Sequence, residues 1–371
     1  MIKTKFWIEN GYTLVEDASM DVFQAALERI RYMFTLSDHY VVSFSGGKDS
    51  TSVLMMSLIV ARELDRLPLE VAFIDEEVID PDTIEYATEL TTWDELSFRW
   101  FCVPIRHTLR SKNRSHWYTW DPNERDVWAR ELPPNAITDI EGLDDNSSYV
   151  DVLQKYYHGR LGWESFVGAA GIRMEESFNR RRNIIRVGKY IIKKGREIYG
   201  KPIYDWKVTD VWRAIILNDW PHSRFYDKMW MKKISLHYQR VAPWGNVAGV
   251  SYVSYYPEFY PDFWERAIRR LPELRPAYRY GNSKLYREIM NKPVHMTWQE
   301  YTYYLLDMLD EENKAFWQKQ IESIVKEWSR KSTVPFPEEN IGEADDGMTW
   351  KRFAYVIGKN DRFKGNSRDL K

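Results

Sequence analysis

The sequence predicts an α/β protein built on a doubly wound parallel sheet, with a helical C-terminal extension. Three observations predict it. Short apolar runs at 41–44, 69–74 and 100–103 alternate with stretches of helical periodicity. The run Val41-Val42-Ser43-Phe44 feeds a glycine pair and then a Ser/Thr-rich helix start, which is a strand–turn–helix corner. From Tyr252 onward the texture changes to aromatic, charged segments at helical spacing, with no internal repeat or low-complexity tract.

The chain has 371 residues, enough for one large domain plus an extension, or for two domains. Apolar residues make up 44% and charged residues 29%, the balance of an ordinary globular protein. A formal net charge of −2 offers no global attraction for nucleic acid or a membrane surface, so any basic surface is local. The 17 tryptophans and 24 tyrosines anchor cores in most proteins, and they also stack on bases. No stretch is long enough to span a bilayer and no apolar signal core opens the chain, so a cytoplasmic protein is expected. The single cysteine, Cys102, sits in a strand-like run. It forms no intramolecular disulfide and cannot by itself hold zinc or an iron–sulfur cluster, so a buried, inert thiol is expected.

Taken in order, 17–34 reads as an amphipathic helix through Val22, Phe23, Ala26, Leu27, Ile30 and Met33. A largely buried helix follows the glycine pair and runs towards Pro68. The strand 69–75 ends on Asp75, and a helix over 81–96 leads into the Cys102 strand. The stretch 106–151 then breaks the rhythm, passing from Arg106, His107 and Arg110 through Trp117, Trp120 and Trp128 to an acidic run. Long irregular stretches in compact domains are often functional. A cap over the pocket that selects a second substrate is expected here, with a plain surface insertion as the alternative. The segment 165–173 is a short strand ending in small residues and Arg173. Arg186, Lys189, Lys193, Lys194, Arg196 and Lys201 form a local basic run, read as a solvated helix face or a basic surface. Thr209 or Asp210 is placed to cap a helix carrying Val211, Trp212 and Ile215. Later helices are expected over 263–271, 283–290, 298–309, 313–330 and 350–357. The division falls into an α/β domain at 1–245 and a helical region at 246–371.

The corner Ser45-Gly46-Gly47-Lys48-Asp49-Ser50-Thr51 carries the chemistry. Glycines admit backbone conformations closed to other residues and let a ligand approach. The free N–H groups and dipole of the new helix favour an anion, Lys48 adds a positive charge, and the hydroxyls add donors. This suits a phosphate chain. The spacing differs from the nucleotide P-loop, since the glycines are adjacent and Lys48 precedes Asp49. Asp75 lies beyond a strand end, where ligands of open parallel sheets collect. It is placed, with Asp49, to help hold Mg²⁺, or to contact a ribose; a helix cap or loop salt bridge is the alternative. Gly171 and Arg173 follow another strand end, where arginine grips phosphate or sulfate. Arg180 comes two helical turns later on nearly the same side.

Four separated pieces carry a family resemblance: the Ser-Gly-Gly-Lys-Asp-Ser loop, Gly171-Ile172-Arg173-Met174-Glu175-Glu176-Ser177 with Arg180, Pro202-Ile203-Tyr204-Asp205-Trp206 before a Val211-Trp212 helix, and Phe225-Tyr226-Asp227. Together they resemble the phosphoadenosine phosphosulfate (PAPS) reductase family of the ATP-pyrophosphatase (PP-loop) superfamily. The Arg240-to-Gly245 segment and the tail through Trp350-Lys351-Arg352 are similar to a divergent branch of it. That branch is called PAPS reductase-like or sulfotransferase-like, and some members are called regulators of immunoglobulin-binding proteins. The resemblance implies an adenine nucleotide alpha hydrolase-like fold. It implies that Ser45, Gly46, Gly47, Lys48, Asp49 and Ser50 hold phosphates, and that Arg173 and Arg180 contact phosphate or sulfate. Two departures stand out. The C-terminal Glu-Cys-Gly-type motif of true reductases is missing, and the several cysteines that hold an iron–sulfur cluster in other relatives are reduced to Cys102. Sulfonucleotide reduction needs a reachable thiolate, so self-contained reductase activity is excluded.

Three functions are consistent with these residues. The first is an enzyme that binds ATP with Mg²⁺, releases pyrophosphate and adenylylates a second substrate, with Lys48, Asp49 and Arg173 as its catalytic set. The second is an ATP or PAPS sensor acting through a protein partner. The third is a nucleic-acid-modifying enzyme, motivated by the basic run and the aromatics.

Overall fold

Strand β3 (Tyr40–Phe44) shows how the sheet is built. Its side chains alternate between two cores, Val42 and Phe44 on one face and Val41 on the other, and all three are buried. The same alternation recurs in β4 (Leu69–Ile74), where Val71 and Phe73 face one core and Ala72 the other. In β5 (Leu96–Phe101) it separates Trp100 from Phe101. Strands buried on both faces need cover on both faces. On the first, α1 (Val22–Phe34), α2 (Lys48–Glu63), α3 (Pro81–Leu90) and α6 (Val208–Leu217) supply it through Ile30, Leu54, Tyr86 and Val211. On the second, α4 (Tyr149–Gln154) and the π-type turn after it supply Val152, Leu153, Tyr156 and Tyr157. Each such side chain fully removed from water contributes roughly 1.5–3 kcal/mol. The structure is a computed structural model. It describes residues 5–8, 12–15, 20–108, 116–144, 146–176, 178–187, 190–244, 249, 252–275, 278, 292–293, 295–331, 333–339 and 348–358.

Beyond a separate hairpin of β6 (Arg106–Thr108) with β7 (His116–Tyr118), the later strands are β8 (Ala136–Ile137), β9 (Val167–Ala170), β10 (Ile191–Lys194) and β11 (Glu197–Gly200). Among the described residues the main sheet has seven strands in the order β10-β11-β9-β3-β4-β5-β8. Every pairing is parallel except β10 with β11. The predicted α/β class with C-terminal helices is therefore what the chain adopts. From β3 the chain steps outward through β4 and β5, while β9 returns to the other side of β3. That reversal makes a topological switch point at the carboxyl ends of β3 and β9, the usual ligand position in such sheets. With Val42 opposite Ala169 and Phe44 opposite Phe73, the loops after β9, β3 and β4 leave the same edge side by side.

The contacts divide the described chain into two compact units. The sheet unit takes 18–173 and 189–287, so it runs past the division expected at 245. The reason is a second, aromatic core. Phe225 and Met229 of α7 (Phe225–Met231) pack with Trp244, Tyr252, Tyr256, Tyr260, Phe263 and Trp264, residues on both sides of that position. The other unit takes 1–17, 174–188 and 288–371. It contains a hairpin of β1 (Lys5–Ile8) with β2 (Tyr12–Val15), helix α5 (Phe178–Val187), and helices Trp298–Asp307, Glu311–Lys331 and Trp350–Gly358. Leu306, Trp317, Ile321, Phe353 and Ile357 form its core.

Several elements differ from the sequence reading. The helix expected over 81–96 stops at Leu90, because the Thr91 and Thr92 hydroxyls bond back to the carbonyls of Thr88 and Glu89 and end it. The basic run after Tyr190 is a β-hairpin and not a helix face, turned at Gly195, whose φ of 66° suits glycine. The N-cap of α6 is Lys207, and the Asp210 carboxylate reaches back to its N–H at 2.8 Å. The irregular 106–151 stretch contributes β8 to the sheet edge, and its Trp117 and Trp120 are buried. The β1–β2 hairpin is an addition. The helix expected over 283–290 lies outside the described residues.

Candidate functional site: the turn between β3 and α2

The turn Ser45-Gly46-Gly47 joins β3 to α2 at that switch point. Gly46 has φ 73°, and a Cβ there would lie 2.3 Å from Thr83 Cγ2, so both backbone and space require glycine. Gly47 is the N-cap of α2 and no side chain caps the helix. Its first-turn N–H groups have no carboxylate cap, and that of Lys48 is taken by the Tyr226 hydroxyl. Ser50 Oγ donates to Gly47 O at 2.9 Å and accepts from the Ser45 N–H at 3.2 Å, which fixes the turn. Thr51 is fully buried 3.2 Å from the Tyr86 hydroxyl, a packing position. The loop after β9 rests on this helix start. A Cβ at Gly171 would sit 2.6 Å from Asp49 O, so only glycine lets the two backbones meet.

Three charges converge there. Lys48 Nζ lies 3.1 Å from Asp49 Oδ2, and Arg173 Nε donates to Asp49 Oδ1. The Arg173 guanidinium also reaches Trp206 O at 3.4 Å. Trp206 is held in turn by the buried, bidentate Arg29–Asp205 pair, with contacts of 2.7 and 2.8 Å between α1 and the 202–206 turn. Burial by itself raises the Asp49 carboxyl. The charges of Lys48 and then Arg173, with their hydrogen bonds, outweigh it and hold Asp49 below its ordinary range. Two cations and one carboxylate leave a net positive charge at a helix N-terminus, in a place where Lys48 and Arg173 are each 3% exposed. Such a place favours an anion.

Two further acceptors come from far along the chain. Lys48 N–H donates to the Tyr226 hydroxyl at 2.9 Å, and Lys48 Nζ donates to Gln239 O at 3.0 Å. Burial, and then the Asp49 charge, raise the Tyr226 phenol, so it stays neutral.

Of the remaining expected site residues, Asp75 is buried with partners of its own. Its Oδ2 accepts from Trp100 Nε1 at 2.7 Å and pairs with Arg130, and its Oδ1 accepts from the Glu77 N–H at 2.9 Å. Asp49 is thus engaged by two cations and Asp75 by these three donors. Among the described residues there is no group of three or more His, Cys, Asp or Glu side chains arranged to hold a metal. Arg180 belongs to the other unit, where its guanidinium pairs with Glu176. Cys102 is buried, and burial and then the Asp75 charge raise its thiol well above the usual range. That is the inert thiol the sequence led us to expect.

The sequence reading missed the polar groups of the neighbouring loop. Glu76 leaves β4 beside Asp75; the Tyr149 hydroxyl donates to its Oε1, and His107 Nε2 lies 3.3 Å from it. Burial pushes the Glu76 carboxyl up to about 7 and the His107 imidazole down to about 4. Glu77 is a buried hub that accepts from the Trp120 and Ala129 N–H groups and from Arg270 Nε at 2.7 Å. These contacts join residues 43 to 193 positions apart, and no local pattern announces them.

Known proteins resemble this chain in part. A family model described as a domain of unknown function (DUF3440) matches residues 233–344. A relative from Escherichia coli, Uncharacterized protein YbdN, is 27% identical over 366 residues, covering 92% of this chain and 89% of its own. Uncharacterized protein MJ0973 of Methanocaldococcus jannaschii is 29% identical over 188 residues, covering 50% of this chain and 38% of its own. Among solved structures, the PAPS reductase of Candida auris is similar at 12% identity and a TM-score of 0.35, covering 60% of this chain and 89% of that one. The FMN adenylyltransferase of Candida glabrata, solved with FAD and pyrophosphate, is similar at 14% identity and a TM-score of 0.36, covering 55% and 59%. No helix among the described residues is long and apolar enough to cross a membrane.

Proposed function

We propose that this protein binds ATP, or a related adenine nucleotide such as PAPS, by its phosphates at residues 45–50. With ATP bound, it releases pyrophosphate and transfers the adenylyl group to a second substrate. The observation that carries the reading is the buried Lys48–Asp49–Arg173 set at the uncapped start of α2. The nucleophile of the second substrate attacks the α-phosphorus, the bond to the bridging oxygen breaks, and that electron pair leaves with pyrophosphate. Charge grows on the leaving group, and donors already fixed around it lower the barrier. The Lys48 ammonium and the first-turn N–H groups are those donors. Arg173, oriented by Asp49, supports the phosphates from the β9 side. Asp49, kept ionised by Lys48 and Arg173, positions both cations.

Self-contained sulfonucleotide reduction is no part of the proposal, because Cys102 is buried and its thiol is raised. Incubation with Mg·ATP and candidate acceptors, followed by assay of AMP and pyrophosphate, tests the reading. Wild-type protein should release pyrophosphate, and folded Lys48→Ala should lose at least about 99% of that rate. Equal rates in the two proteins would remove the assignment.

A further inference from the structure

The phosphate loop is closed by its own chain. The Lys48 N–H and the Lys48 ammonium are the strongest anion donors of the turn, and both are occupied. The acceptors are the Tyr226 hydroxyl on α7 and the Gln239 carbonyl after it. The Tyr226 oxygen takes a second backbone hydrogen bond from Val241. Its ring lies under the ammonium, 5.6 Å from Nζ to the centroid, and its hydroxyl is 3.4 Å from the place a Gly47 Cβ would take. Lys48, Tyr226 and Gln239 are at most 3% exposed, so no phosphate reaches the Lys48 donors while these contacts stand.

We propose that residues 225–239 form a lid, latched on the phosphate loop by the Tyr226 hydroxyl and the Gln239 carbonyl, that a diphosphate-bearing ligand must displace. The inference rests on the reading of the loop as a phosphate site. The Lys48 N–H to Tyr226 hydroxyl bond is neutral on both sides, and a charged phosphate oxygen makes a charge-assisted bond roughly twice as strong; at the ammonium a neutral carbonyl gives way to a full opposite charge. A latch of this kind keeps a buried cation and a buried N–H satisfied when the site is empty, and it yields to the anion the site is built for. The lid is tied to the aromatic core. Phe225, next to Tyr226, packs among Tyr252, Tyr256 and Tyr260, and Trp212 meets the Tyr226 ring edge-on at 5.1 Å. Movement of the lid therefore disturbs the second, aromatic core, and occupancy of the loop is felt beyond it.

Calorimetric titration of the full chain with inorganic pyrophosphate and with Mg·ATP, for wild type and Tyr226→Phe, tests the latch. Loss of the hydroxyl strands the Lys48 N–H only when the site is empty, so affinity should rise by about five- to tenfold. Hydrogen exchange of 225–239 in wild-type protein is the second measurement, and it does not depend on the variant folding. Exchange should quicken when pyrophosphate is added. Unchanged or weaker binding by Tyr226→Phe overturns the latch and leaves the phosphate site standing, as does exchange that ignores pyrophosphate. If neither protein binds pyrophosphate or ATP, the phosphate-site reading fails and the lid with it.

Discussion

Single residues of this site are set by what surrounds them more than by their own type. Lys48 and Arg173 are cations that stay buried because Asp49 lies between them, and Asp49 stays ionised because they flank it. Glu76 shows the opposite balance. Burial raises its carboxyl to about 7 with no cation beside it, since His107, lowered to about 4, is neutral at that pH. The sign follows from linkage. A carboxyl that binds its proton more tightly folded than unfolded contributes stability that is full below the unfolded pKa of about 4.3 and lost as pH rises to about 7. Urea unfolding should show wild-type protein losing stability relative to Glu76→Gln across that window and running parallel above it. Parallel curves from pH 4 to pH 8 would mean that Glu76 titrates as an exposed carboxyl does. The glycine turn was legible in the sequence because its requirement is local. Tyr226 and Gln239 were not legible as parts of the site, being 178 and 191 positions from Lys48. Asp75 was placed correctly beyond a strand end, but its indole and arginine partners come from elsewhere and use its oxygens.

At the scale of elements, the loop after β4 organises what the sequence presented as an irregular stretch. Glu77, held at φ 63°, gathers the Trp120 and Ala129 N–H groups and the Arg270 guanidinium, and Arg270 also donates to Tyr118 O at 2.7 Å. Helix Pro261–Arg270, the 116–130 segment and the sheet edge are thereby joined at one buried ion pair. Removing one partner of such a pair leaves the other charged and unsolvated. Arg270→Met should cost about 3–5 kcal/mol in urea unfolding, and Glu77→Gln in the same chain should return part of it. A loss below about 0.5 kcal/mol would show that the pair does not hold these elements together. The sheet strands were legible from two-sided apolar runs. Helix ends were not: Thr91 and Thr92 decide between helix and turn by side-chain bonds to the backbone, which apolar periodicity does not register. The β10–β11 hairpin was hidden for a related reason, since the paired Ile191-Ile192 and Lys193-Lys194 suit a helix face as well as an edge strand.

For the molecule as a whole, the class was legible because it follows from the order of apolar runs, whereas the extent of the sheet unit was not. The change of texture after residue 245 marks a change of secondary structure, yet the aromatic side chains on both sides of it share one core. That core begins at α7, the helix whose Tyr226 lies on the Lys48 turn. A nucleotide phosphate site at the Lys48 turn must bind adenine nucleotide, and must do so through Lys48. Calorimetric titration with Mg·ATP and PAPS, comparing wild type with folded Lys48→Ala, should show adenine-nucleotide binding that the substitution weakens by about 10- to 100-fold. Equal affinity in the two proteins, or no binding of either nucleotide by wild type, would contradict it.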